Sequence, residues 1–171
     1  MHVRLDKDTR SAIIGFVSLA VLIGGTLMLG AFSPEAALTK LYTNNTYGFS
    51  LRMPATFTAT EGAAIDPTAS TTILLQNSAG DGVQILVSSW DEPASALTPR
   101  RITKDTGLTV TDPQPVTLSG ATGLTFESDN PAFDGASSDA WFIAGGNIYQ
   151  MSTYAADDAL LKSMLASWTF F

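Results

Sequence analysis

The chain of 171 residues carries 16 acidic against 9 basic residues, a formal charge of −7, with one histidine and no cysteine. The acid excess disfavours phosphate backbones and anionic lipid heads as partners, because nucleic-acid affinity rests largely on clustered Lys and Arg. The missing thiols exclude disulfides, lipid attachment at cysteine, Cys-His catalysis and cysteine-based zinc sites.

In chain order, residues 1–10 form a short tail containing Arg4, Lys7 and Arg10. From Ser11 to Phe32 follow 22 uncharged residues, rich in Ile, Leu and Val. At about 1.5 Å of rise per residue, such a helix crosses a hydrocarbon core roughly 30 Å thick. The cations before the stretch and the single Lys40 just after it place the N-terminus in the cytoplasm and the rest outside. A cleaved secretory signal fits less well: its apolar core is usually about 7 to 15 residues. The candidate cuts also fit poorly, since Ala31-Phe32-Ser33 is followed by Pro34, and Glu35-Ala36-Ala37 puts an acid where a small residue belongs. A type IV prepilin reading of Gly15-Phe16 fails at Ala20, where Glu is expected. Ala20-x-x-x-Gly24 permits close helix packing, so a homo-oligomer formed within the membrane is one expectation.

Residues 33–41 read as a tether and 42–171 as one domain, large enough to bury its own core. Three of the basic and two of the acidic residues precede Ser11, which leaves 6 basic and 14 acidic beyond the membrane segment. Tyr47 to Met53 alternates as a strand does, and Pro54 ends it. Residues 72–76 and 83–89 flank the turn-rich Ser78–Gly82 and should pair as a hairpin. Thr98 as N-cap, Pro99 at the first helical position and Gly107 as stop bracket a helix from Arg100 to Thr106. Residues 116–118 and 123–127 supply two short strands. A second hairpin runs from 138–144 through Gly145-Gly146-Asn147 into 148–154. Asp157 is placed to cap a helix bearing Leu160, Leu161, Met164 and Leu165, and Trp168 to Phe171 close the chain as a strand. The fold class is α+β, an antiparallel sheet with helices packed on it.

The Tyr47-Gly48-Phe49-Ser50-Leu51-x-Met53-Pro54 opening, the Trp141 hairpin and the closing Leu161-x-x-Met164-Leu165-x-Ser167-Trp168-x-Phe170 resemble the PsbP-like family over residues 42–171. The resemblance implies an α-β-α sandwich. It also implies a non-enzymatic accessory or binding module, with no catalytic motif to carry over.

The residues themselves offer little for catalysis. The sole histidine, His2, precedes the membrane segment, so no serine of the outer domain has a histidine base. Ser119-Gly120-Ala121-Thr122-Gly123 lacks the Gly-x-Ser-x-Gly pattern and reads as a turn between strands. Asp129, Asp134 and Asp139 could offer oxygen ligands to a cation, although five-residue gaps and Pro131 break the rhythm of a compact calcium loop. Glu127 with Asp129, or Asp91 with Glu92, are the candidate acid pairs for glycoside hydrolysis. Arg100, Arg101 and Lys104 hold half of the outer domain's cations on one helix and form the candidate partner-binding patch. The two arginines occupy a first turn whose dipole prefers acids, so carboxylates of a partner or of the chain itself should compensate. Trp90, Trp141, Trp168, Phe170 and Phe171 read as core aromatics. Asn44-Asn45-Thr46 matches a glycosylation acceptor. The function expected is a membrane-anchored, extracytoplasmic binding or scaffold domain that meets another protein, with no cofactor. The alternatives are a ligand- or metal-binding sensor and a carboxylate-based hydrolase.

Overall fold

A computed structural model describes residues 37–62 and 70–171 of the chain. The apolar stretch 11–32, expected to cross a membrane, the tail before it and the first part of the expected tether lie outside the described residues. Among the described residues no helix is long and apolar enough to cross a membrane.

Two antiparallel sheets carry the fold, where the sequence pattern suggested one. The smaller joins β1 (Lys40–Asn44), β2 (Phe49–Met53) and the two-residue β10 (Thr169–Phe170), with β2 in the middle. The larger has seven strands in the order β3-β4-β5-β9-β8-β7-β6. These are β3 (Thr58–Gly62), β4 (Thr71–Gln76), β5 (Gly82–Ser89), β6 (Val110–Leu118), β7 (Ala121–Ser128), β8 (Ser137–Ala144) and β9 (Asn147–Tyr154). Helix α1 (Pro99–Thr106) lies between β5 and β6 in the chain, and α2 (Asp158–Ala166) between β9 and β10.

Turn chemistry sets the registers. Gly145 and Gly146 have φ of 57° and 77°, the paired left-handed conformations of a two-residue hairpin turn, and Ala144 pairs with Asn147 across it. Ser119 and Gly120 make the same kind of turn between β6 and β7. Ser119 is held in its left-handed conformation by a hydrogen bond from its hydroxyl to the Trp168 carbonyl, 2.9 Å. In the β4–β5 loop, Asn77 Oδ1 accepts from the amides of Ala79 and Asp81. Gly123 permits a close approach between strands: a Cβ there would lie 2.0 Å from the Trp141 carbonyl oxygen.

Alternation along the large sheet separates two cores. One face turns Ile73, Leu75, Ile85, Val87, Phe142, Tyr149 and Met151 toward the small sheet and toward Leu161, Met164 and Leu165 of α2. At its centre Trp168 stacks on Phe49 at 4.2 Å between ring centroids and meets Phe142 edge-on at 5.0 Å. The other face carries a smaller cluster, in which Phe126, Trp141 and Ile148 pack against Trp90, Leu97 and Ile102 of the α1 region. The layers are therefore α2 with the small sheet, then the large sheet, then α1.

Several sequence expectations need correction. The short strands expected at 116–118 and 123–127 are longer, because β6 reaches back to Val110 through a bulge between Thr111 and Gln114. Prolines 113 and 115 are tolerated there because β6 is an edge strand. Asp157 stands at the N-cap of α2, but its side chain makes no capping hydrogen bond, since a 3-10 turn over Ala155–Asp157 feeds straight into the helix. Phe171 is 71% exposed and is not a core residue. Asn44 is buried, donating to the Tyr42 hydroxyl at 3.1 Å and accepting from the Tyr47 amide at 2.9 Å, so its side chain is not available as a glycan acceptor.

Trp168 touches both sheets, so truncating it leaves a cavity at their junction. Trp168→Ala should cost about 3 to 5 kcal/mol of unfolding free energy, and Trp168→Phe clearly less. Equilibrium denaturation with intact two-state transitions checks both values.

Candidate functional site

The acidic loop does not converge. Asp129 Oδ1 accepts the Thr109 amide at 2.7 Å, tying the start of β6 to the end of β7. Hydrogen bonds from Thr109, first from its hydroxyl and then from its amide, hold the Asp129 carboxyl below the ordinary range. Asp134 adopts a left-handed conformation, φ 55°, after a 3-10 turn over Pro131–Phe133 that Asn130 caps through the Ala132 amide. Asp139 lies inside β8 and is 1% exposed. Among the described residues no three His, Cys, Asp or Glu side chains come close enough to hold a metal ion. The proposed triad of Asp129, Asp134 and Asp139 is thus split among a strand tie, a turn and a strand interior.

Asp139 is the most unusual of the three. It points to the α1 face of the large sheet, in register with Phe126 on β7 and Ser152 on β9. Three hydroxyls from three strands donate to it. Ser128 reaches Oδ2 at 2.8 Å, Ser137 reaches Oδ2 at 2.6 Å, and Ser152 donates to Oδ1. Burial nevertheless prevails over these donors and raises its carboxyl above the ordinary range. In the next row across the same face, Trp141 and Gln150 stand directly opposite each other, flanked by Leu124 and Leu86. Trp141 Nε1 and Gln150 Nε2 are buried and donate to nothing. The face thus holds a satisfied carboxylate beside these two unsatisfied donors, and Trp90 Nε1 in the same cluster is a third.

The basic helix resolves differently. Arg101 makes a forked ion pair with Glu92, at 2.9 and 3.0 Å, and a second bond to Asp105 one turn along α1. Its guanidinium also lies 5.6 Å from the centre of the Trp90 ring. The compensating acids for Arg101 are intramolecular, so Arg101 is not a free contact for a partner. Arg100 and Lys104 remain exposed. The acid pairs proposed for hydrolysis are likewise engaged on one member each, Glu92 by Arg101 and Asp129 by Thr109.

Sequence reasoning missed the three serines and Gln150. The available signal was Asp139 itself, an acid between Ser137 and Trp141 at strand spacing, which places it on the same face as a large aromatic.

No protein-family profile matches the sequence, and neither does any curated protein. Solved structures do. Cyanobacterial PsbP (CyanoP) from Synechocystis sp. PCC 6803, a solution structure, aligns with a TM-score of 0.55 at 10% identity, covering 84% of this chain and 99% of that one. A crystal structure from Bacteroides thetaiotaomicron aligns with a TM-score of 0.44 at 12% identity, over 79% of this chain and 49% of the other. The chain has a PsbP-like fold.

Two predictions follow from the α1 face. An unfolded Asp ionises near about 3.9. Because folding raises the Asp139 value, the native state holds a proton that the unfolded chain has released, and stability falls as pH rises from the unfolded value to the folded one. Asp139→Asn should remove that decline. The difference between wild-type and variant melting curves isolates it from Asp157, which burial also raises, and from Asp129, which is lowered. Parallel pH profiles would refute the assignment. Separately, Gln150→Met removes a buried donor without a partner and should raise unfolding free energy by about 1 kcal/mol. Chemical denaturation of the pair reads the sign directly.

Proposed function

We propose that this chain is a membrane-anchored, extracytoplasmic domain that binds or scaffolds another protein without catalysing a reaction. The observation that carries this reading is how its acids are used. Asp139 is bound by serines, Glu92 and Asp105 by Arg101, Asp129 by Thr109, and Asp158 by Ser138 and Lys162. Carboxylates committed to holding strands and helices together are poor candidates for acid-base work. The PsbP-like resemblance of the sequence, which implies an accessory role, supports the same reading.

The anchor is residues 11–32, whose length and flanking cations support a single span with the N-terminus in the cytoplasm. Arg100 and Lys104 are the exposed cations of α1 and suit an acidic patch on a protein partner. The domain's acid excess argues against nucleic acid. A second reading, a ligand-sensing domain, draws on one observation: the buried donors of Trp90, Trp141 and Gln150 on the α1 face lack acceptors, as does Trp168 in the other core, and a carbonyl or carboxylate bound on the α1 face would supply the first three.

Protease added to intact cells should remove the domain while sparing the N-terminal tail. Proximity labelling from the domain should then enrich a constant neighbour, weakened by the double variant Arg100→Glu with Lys104→Glu. A domain protected in intact cells, or labelled neighbours that form an arbitrary set unchanged by the variant, would defeat the proposal.

A further inference from the structure

The outer face of the small sheet is unlike the rest of the surface. Along β1 and β2 the inward positions are Tyr42, Asn44, Phe49, Leu51 and Met53. The opposite positions are Leu41, Thr43, Ser50 and Arg52, joined by Thr169 and by Phe171 just beyond β10. Leu41 pairs directly with Arg52, Thr43 with Ser50, and Ser50 with Thr169, whose hydroxyls lie 2.9 Å apart. Phe171 is fixed at the far end by its amide, which donates to the Gly48 carbonyl at 3.0 Å. Leu41 and Phe171, 59% and 71% exposed, are the exposed large hydrophobics among the described residues. In a strongly acidic domain, the side chains of this face include a cation and no carboxylate.

We infer that this face docks on the headgroup surface of the membrane that residues 11–32 enter, with Leu41 and Phe171 dipping into the interface and Arg52 against lipid phosphate. The inference rests on the anchor reading above. Chain length argues for the occupant. Seven residues, 33–39, separate the end of the apolar stretch from Lys40. Fully extended at about 3.5 Å each, they reach about 25 Å, so the sheet begun by Lys40 stays near the bilayer. Leu41 directly opposite Arg52, with Phe171 at the other end of the same face, matches the layered chemistry of that interface, where apolar tips are wetted poorly and guanidinium groups meet phosphate. Both exposed large hydrophobics of the described residues fall on this one face, and Leu41 stands next to the point where the chain enters it.

Because the chain has no cysteine, Leu41→Cys, Phe171→Cys and Thr103→Cys each give a unique labelling site. Thr103 is exposed on α1, across the large sheet from the small one, and serves as reference. Full-length chains carrying one fluorophore are reconstituted into vesicles of zwitterionic phosphatidylcholine, because the domain's acid excess disfavours anionic headgroups. They are then quenched by a nitroxide lipid labelled near its headgroup or by aqueous iodide. Labels at 41 and 171 should be quenched severalfold more by the nitroxide lipid than the label at 103, and severalfold less by iodide. Labels at 41 and 171 that match 103 with both quenchers overturn the docking, as do labels shielded from both, which would indicate a protein cover. Flotation after alkaline extraction separates the two levels: vesicles that float without the protein defeat the anchor, whereas floating protein with iodide-accessible labels defeats the docking alone.

Discussion

Trp168 is the contact on which the arrangement of the two sheets depends. It follows α2 directly and precedes the two-residue β10, so a single ring fixes where the helix ends and where the chain joins the small sheet. Its stacking on Phe49 and edge contacts with Phe142 and Tyr149 connect β2 to the centre of the large sheet. Two residues of strand pairing would be a weak tie on their own. The aromatic junction makes it sufficient, and Ser119 adds a polar link by donating to the Trp168 carbonyl.

Much of this arrangement is legible in the sequence where local chemistry and tertiary demand coincide. The β8–β9 hairpin is readable because two glycines interrupt two alternating runs, and α1 because Thr98, Pro99 and Gly107 each satisfy a helix-end requirement that is local. Elements without such signals stay hidden. All five residues of β3 are exposed, so no alternation marks them, and the prolines of β6 argue against a strand unless its edge position is known. That β10 joins β1 and β2 in a separate sheet rests on pairing Thr169 with Ser50, a contact across most of the chain that periodicity cannot reveal.

The candidate site was half legible for related reasons. First-turn arginines against the helix dipole called for nearby acids, and Glu92 and Asp105 supply them to Arg101 within the chain. Asp139 was noticed for its charge and grouped with its neighbours in sequence. Its actual partners come from β7, from two residues back on β8, and from β9, and only the register of those strands brings their hydroxyls together. A carboxylate so placed ties three strands through polar bonds inside a buried layer that it shares with Trp141 and Gln150. Such a network favours one register over any shifted alternative, because a slip of one residue would strand the charge.

The two ends of the seven-stranded sheet are not equivalent. On one side β6 is interrupted by its bulge and carries Pro113 and Pro115, which lack amide hydrogens, whereas on the other β3 pairs with β4 in unbroken register. Any visitor seeking to add itself by main-chain pairing therefore meets a closed door at β6 and a usable one at β3. Strand addition to this sheet would be one-sided, able to join a single extra ribbon at β3 and unable to propagate from both of its margins.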